Sequence, residues 1–125
     1  MKTIKFLILG AILTSVIYFI YDNFFSKGML VGEYVNKNYD YEPFLPEIPY
    51  EQDTLRLFEN NKFRSHFWGK GTYKIFYTLV GTEIELYYKY EFGEAVFRGS
   101  LTRCFFGEPK LLLDPDRNHY LEKRK

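Results

Sequence analysis

Two histidines, one cysteine and a short acidic run hold most of the chemistry this chain has to offer beyond packing. A hydroxyl or thiol nucleophile needs an imidazole within hydrogen-bond reach to take its proton. His66 falls on the opposite strand face from Phe63 and Phe67 and is expected to be an exposed strand residue. His119 follows a turn and is expected to be solvated. Neither is set beside a nucleophile by any local pattern, so no catalytic residue is assigned and the chain is read as a non-enzyme. Asp114-Pro115-Asp116-Arg117-Asn118 has the oxygen ligands that begin a calcium loop. His119 stands where that loop needs glycine, and Lys125 where it needs glutamate, so the segment reads as an Asp-Pro turn. Glu83, Glu85 and Glu91 share one strand face with Lys89, the pattern of a solvated surface and not of a poised carboxylate pair. Cys104 precedes Phe105 and Phe106 and reads as a small buried hydrophobe that forms no intramolecular disulfide. With no Cys/His cluster and no glycine-rich phosphate loop, neither a metal nor a cofactor is expected.

Tyrosine is in surplus, with 12 residues. Tyr39, Tyr41 and Tyr50 fall in a long loop, and Tyr87 falls on the polar face of its strand. Tyrosine offers a large contact area and a hydroxyl at modest entropic cost, which marks these four as candidate partner-binding residues. Core packing explains the same surplus equally well.

The elements that must position these residues are strands. From Glu83 to Phe92 every even position is apolar or aromatic and most odd positions are charged, the period of a half-buried strand. Thr72 to Leu79 repeats it with Tyr73, Ile75, Tyr77 and Leu79 on one face, and Val80-Gly81-Thr82 reads as the hairpin turn between the two. Asn60-Asn61 makes a second turn between Leu55 and Leu57 on one side and Phe63, Ser65 and Phe67 on the other, because Asn tolerates positive φ. Further strands are expected over 30–35, 94–105, 109–113 and 118–123. The fold class is therefore all-β: an antiparallel up-and-down meander of about eight strands, closed into a small barrel or half-barrel. One long connection, 36–52, is broken by Pro43, Pro46 and Pro49. Phe44, Leu45 and Ile48 would let it pack across the barrel mouth, and an extended proline-spaced ligand motif is the alternative.

Ahead of this body, residues 1–27 form a membrane anchor and 28–125 the β-domain. Lys2 and Lys5 precede an uncharged run from Phe6 to Tyr21. Extended to residues 4–25, the helix reaches close to a bilayer span of about 30 Å. Thr14 and Ser15 are compatible, since their hydroxyls can bond back to carbonyls one turn earlier. A cleaved signal peptide needs small residues before the cut, and Phe24 and Phe25 interrupt that pattern. An uncleaved signal-anchor in the cytoplasmic membrane is favoured, with the N-terminus in the cytoplasm and the β-domain outside. Cleavage giving a start near Met29 would instead make the body soluble, periplasmic or secreted.

Leu30-Val31-Gly32-Glu33-Tyr34, the hairpin with Phe63 and Trp68, Gly69-Lys70-Gly71-Thr72-Tyr73 and the closing Asn118-His119-Tyr120-Leu121-Glu122-Lys123 resemble small bacterial lipocalin-like envelope domains over about residues 28–123. The resemblance implies a β-barrel that binds something in its mouth or on its face, and no reaction. A net charge of +1 supplies no field for nucleic acid. The expected function is a non-catalytic, membrane-tethered interaction domain with an envelope protein as partner, for instance an inhibitor or immunity protein. The alternative is a carrier of a small apolar ligand, with Tyr73, Ile75, Leu86, Tyr88, Phe97 and Leu101 lining its cavity.

Overall fold

The computed structural model describes residues 1–37, 49, 52–103, 107–114 and 118–124. Helix α1 (Lys2–Asn23) is followed by a one-turn helix α2 (Lys27–Leu30) and by strands β1 (Gly32–Lys37), β2 (Thr54–Leu57), β3 (Lys62–Ser65), β4 (Gly69–Tyr77), β5 (Thr82–Tyr90), β6 (Gly93–Thr102), β7 (Lys110–Asp114) and β8 (His119–Lys123). Each strand runs antiparallel to the next, and β8 returns to β1, so the sheet closes into an eight-stranded barrel. The meander expected from the alternating pattern is thus a closed barrel and not a half-barrel. Closure gives every strand a neighbour on both sides, the usual remedy for aggregation-prone edges.

In α1 the hydroxyls of Thr14 and Ser15 donate to Gly10 and Ala11 carbonyls at 2.8 and 2.9 Å. No charge falls between Lys5 and Asp22, and the helix is long and apolar enough to cross a membrane. It stops at Asn23, because Phe24 is extended, with φ −121° and ψ 123°. Phe25 leaves the helical run altogether and is only 2% exposed, inside the barrel core with Leu30, Tyr34 and Leu57. Of the aromatic pair that reads in sequence as the tail of the span, Phe25 therefore enters the barrel core, while half-buried Phe24 stays between helix and β4.

The inward face of β5 is Thr82, Ile84 and Leu86, all buried, followed by half-buried Tyr88. Opposite them, Tyr73, Phe97 and Leu101 point into the same core. Eight strands give an interior that side chains can just fill. Asn61 has φ 65°, as the Asn-Asn turn demands. Two expectations are corrected. Strand β4 ends at Tyr77, because Thr78 N–H donates to the Gly81 carbonyl at 2.8 Å and closes the turn there. Leu79 consequently leaves the core face and is 98% exposed, while Thr82 opens β5. His119 is not solvated: it shares the inward face of β8 with Leu121 and is 0% exposed.

Because strand direction alternates, strands finish alternately at two ends of the barrel. Strands β2, β4 and β6 finish at the end that receives α1, here the helix end. Strands β1, β3, β5 and β7 finish at the far end.

Candidate functional site

The far end is organised by the longest hairpin. Strands β5 and β6 stay in register from Thr82↔Leu101 to Tyr90↔Gly93, whereas β6 pairs with β7 only at Leu101↔Leu111 and Thr102↔Lys110. Among the described residues, Gly93 to Ser100 therefore has ladder partners on its β5 side only. The hairpin turns through Glu91-Phe92, with Gly93 at φ 137°, a backbone conformation open to glycine at little steric cost. Phe92 stands 83% exposed at the tip, and the Tyr90 ring meets it edge-on with centroids 6.1 Å apart. Val96, half-exposed on the outer face of β6, extends the apolar surface down the strand.

A cleft of about 610 Å³ runs across β4, β5 and β6 beside this tip, bordered by Lys70, Thr72, Tyr87, Tyr88, Lys89, Glu94 and Val96. Its floor depends on Gly71, where an added Cβ would sit 2.0 Å from the Tyr87 carbonyl oxygen and 2.7 Å from the Phe63 ring. Only a residue without a side chain lets β4 approach β5 that closely. The Tyr87 hydroxyl donates to the Glu85 carboxylate. That bond, then burial and the Glu85 charge, raise the phenol's pKa above its ordinary value, with Arg98 opposing. Tyr87 accordingly remains a neutral phenol at physiological pH.

The neighbouring β3–β4 turn is fixed by Asp53. Its Oδ1 accepts the amides of Thr54 and His66 at 2.8 and 3.0 Å, and its Oδ2 that of Phe67 at 3.4 Å. Ser65 Oγ accepts the Trp68 amide at 2.8 Å. These bonds hold Phe67 outward while Trp68 turns in to pack on Phe97, with centroids 5.2 Å apart. Beneath the same end, His119 Nε2 bonds Asn36 Oδ1 at 2.6 Å, and Asn36 Nδ2 donates to the Pro49 carbonyl at 3.1 Å. Burial pulls the imidazole pKa down from its ordinary value, against the Asp114 charge, so His119 stays neutral. It acts as a tie between β1 and β8. His66 is exposed, as expected, and it offers its backbone amide to Asp53.

Of the four residues singled out for partner binding, Tyr87 borders the cleft, while Tyr39, Tyr41 and Tyr50 lie outside the described residues. Cys104 and the Pro115 to Arg117 stretch of the Asp-Pro turn lie outside them as well. The six interior candidates come together: Tyr73, Leu86, Phe97 and Leu101 are buried in one core, and Ile75 and Tyr88 pack against it. The Tyr73 hydroxyl is already committed to the Phe58 carbonyl. These side chains belong to one apolar cluster inside the barrel. Phe67, Tyr90 and Phe92, which the alternating pattern puts on inward faces, lie on the surface, and Val96 lies there on the outer face of β6. Phe92 did leave a signal, as a large aromatic immediately before a turn glycine. Comparison with protein-family models, with curated proteins and with solved structures finds no match to this chain.

Proposed function

We propose that this chain is a non-catalytic interaction domain, held at the outer face of the bacterial cytoplasmic membrane by α1, that presents the far end of its barrel to an envelope protein. The observation that carries the reading is the exposed apolar tip of the β5–β6 hairpin, Tyr90, Phe92 and Val96, beside a cleft with charged walls at Lys70, Lys89 and Glu94. Exposed aromatics rimmed by charge have the composition of a protein-binding patch, and aromatic anchors dominate such interfaces. Among the described residues the ladder of β6 is one-sided, and its backbone groups are ones that an extended partner segment could pair with.

Retention of α1 is supported by Phe25, since cleavage near Met29 would remove a residue that the core contains. A tethered binder gains effective concentration against a partner acting at the same membrane. An inhibitor or immunity protein is the version that uses this geometry with no catalytic group. The test is capture from native membranes by the full-length chain, in parallel with a Phe92→Ser, Tyr90→Ser variant. Stoichiometric capture of one envelope protein, lost in the variant, is the expected result. Equal capture by both chains, or capture by neither, overturns the proposal.

A further inference from the structure

We infer that the β4–β5 turn is a second membrane contact, with Leu79 and Val80 seated in the lipid leaflet beside the end of α1. This rests on the reading of α1 as a membrane span. From Ile75 to Thr82 the chain carries no charge, an uninterrupted stretch between Lys74 and Glu83. At its turn, Thr78 bonds Gly81 and turns the next two side chains outward: Leu79 is 98% and Val80 72% exposed. Two adjacent aliphatic side chains at a turn tip have no packing role in the barrel.

Position supplies the occupant. A 22-residue helix is about 33 Å long, close to the roughly 30 Å hydrocarbon core of a bilayer, so a spanning α1 ends at the interface. No linker separates that end from the barrel. Thr82 Oγ1 donates to the Asn23 carbonyl at 2.8 Å and accepts the Phe25 amide at 3.1 Å. Arg103 N–H donates to the Asp22 carbonyl at 2.9 Å, and Arg103 Nε to that of Tyr21 at 2.8 Å. The β4–β5 turn touches the same point, because a Cβ on Gly81 would lie 3.2 Å from the Asn23 oxygen. A turn held against the last residue of the span, with its tip beyond the strands, meets the leaflet that the span leaves. Aromatic rings mark the level: Phe24 meets Phe19 edge-on at 6.2 Å and stacks on Tyr77 at 6.5 Å, joining helix to β4 where interfacial aromatics collect. Two contacts, one helix and one turn, fix the tilt of the barrel on the membrane where a single helix would leave it to swivel.

The experiment places the full-length chain in phosphatidylcholine–phosphatidylglycerol vesicles with and without lipids brominated at defined acyl depths, which quench nearby tryptophan. Trp68, buried at the far end, gives a constant background. Leu79→Trp reports the turn and Ile12→Trp the middle of α1, and both replace exposed side chains. Quenching of the Leu79→Trp emission by shallow bromines, together with quenching of Ile12→Trp by deep ones, is the expected result. Quenching of Ile12→Trp alone overturns the second contact and leaves the tether standing, the outcome if a protein or a second copy covers the turn. Quenching of neither overturns both.

Discussion

Both ends of this barrel expose apolar side chains, but in different surroundings and with different support. At the helix end the most exposed pair is aliphatic, Leu79 and Val80, in an uncharged stretch that also carries half-exposed Tyr77. Beneath it Phe25, Thr82 and Arg103 bind helix to barrel through buried contacts. At the far end the exposed residues are aromatic, Phe67, Tyr90 and Phe92, with Lys70, Lys89 and Glu94 around them. Aliphatic side chains without charge suit hydrocarbon, whereas aromatics with a charged rim suit an aqueous protein surface. The difference teaches that the helix end is a structural joint and the far end a surface to spare. Substitutions should therefore cost stability at the first and binding at the second.

The sharpest break in that comparison is Phe25→Ala. Truncating a buried phenylalanine costs about 3–5 kcal/mol, so the full-length variant should unfold at much lower urea in detergent micelles, followed by Trp68 fluorescence. A loss below about 1 kcal/mol would mean that the joint adds nothing to the core and that the barrel is independent of its anchor. Next in size is Thr82→Val, which leaves the buried Phe25 amide without its acceptor at a cost of about 1–3 kcal/mol. Amide exchange at Phe25 should accelerate in this variant while exchange in the β5–β6 hairpin stays unchanged. Faster exchange throughout would show that the joint is not local.

Much of the barrel was legible because strand alternation is a local property. The even-numbered face of β5, the Asn61 turn and the strand count all follow from neighbours in sequence. The joint was not legible, since a Phe-Phe pair after an apolar run reads as more span. Only the arrival of β4, β5 and β6 around Phe25 makes it core. His119 failed for a similar reason: its burial is set by the pairing of β8 with β7 and β1, and by Asn36, 83 positions earlier. At the candidate site, Tyr87, singled out for its place on a polar face, borders the cleft. Alternation continued to Phe92 puts that ring on the inward face, but β5 ends at Tyr90, and in the turn beyond it the strand period no longer sets which way a side chain points.

One contribution of the far end to stability is exposed by pH. His119 has its folded pKa pushed below 6.5 by burial, so between the folded value and 6.5 the unfolded chain binds more protons. Stability is full above pH 6.5 and falls as pH drops below it towards the folded value. Melting temperatures from pH 7.5 to 5 should trace this decline, and His119→Gln, which keeps an amide donor for Asn36, should flatten it. An unchanged slope in the variant would assign the pH dependence to other groups.

The smallest effect on stability is expected where the largest effect on binding is. Phe92→Ser replaces a side chain that is 83% exposed, and surface substitutions of this kind stay within about 0.5 kcal/mol. Removing an aromatic anchor from an interface commonly costs 2 kcal/mol or more of binding, roughly a thirtyfold weakening. Titrating the captured partner against both chains in nanodiscs separates the two quantities, because the unfolding midpoint and the dissociation constant are read on the same sample. If Phe92→Ser lowers the midpoint as much as it weakens capture, the tip is a packing element and the far end is no freer than the joint. If the midpoint holds while capture fails, the fold has kept its stability and its recognition at opposite ends of one barrel.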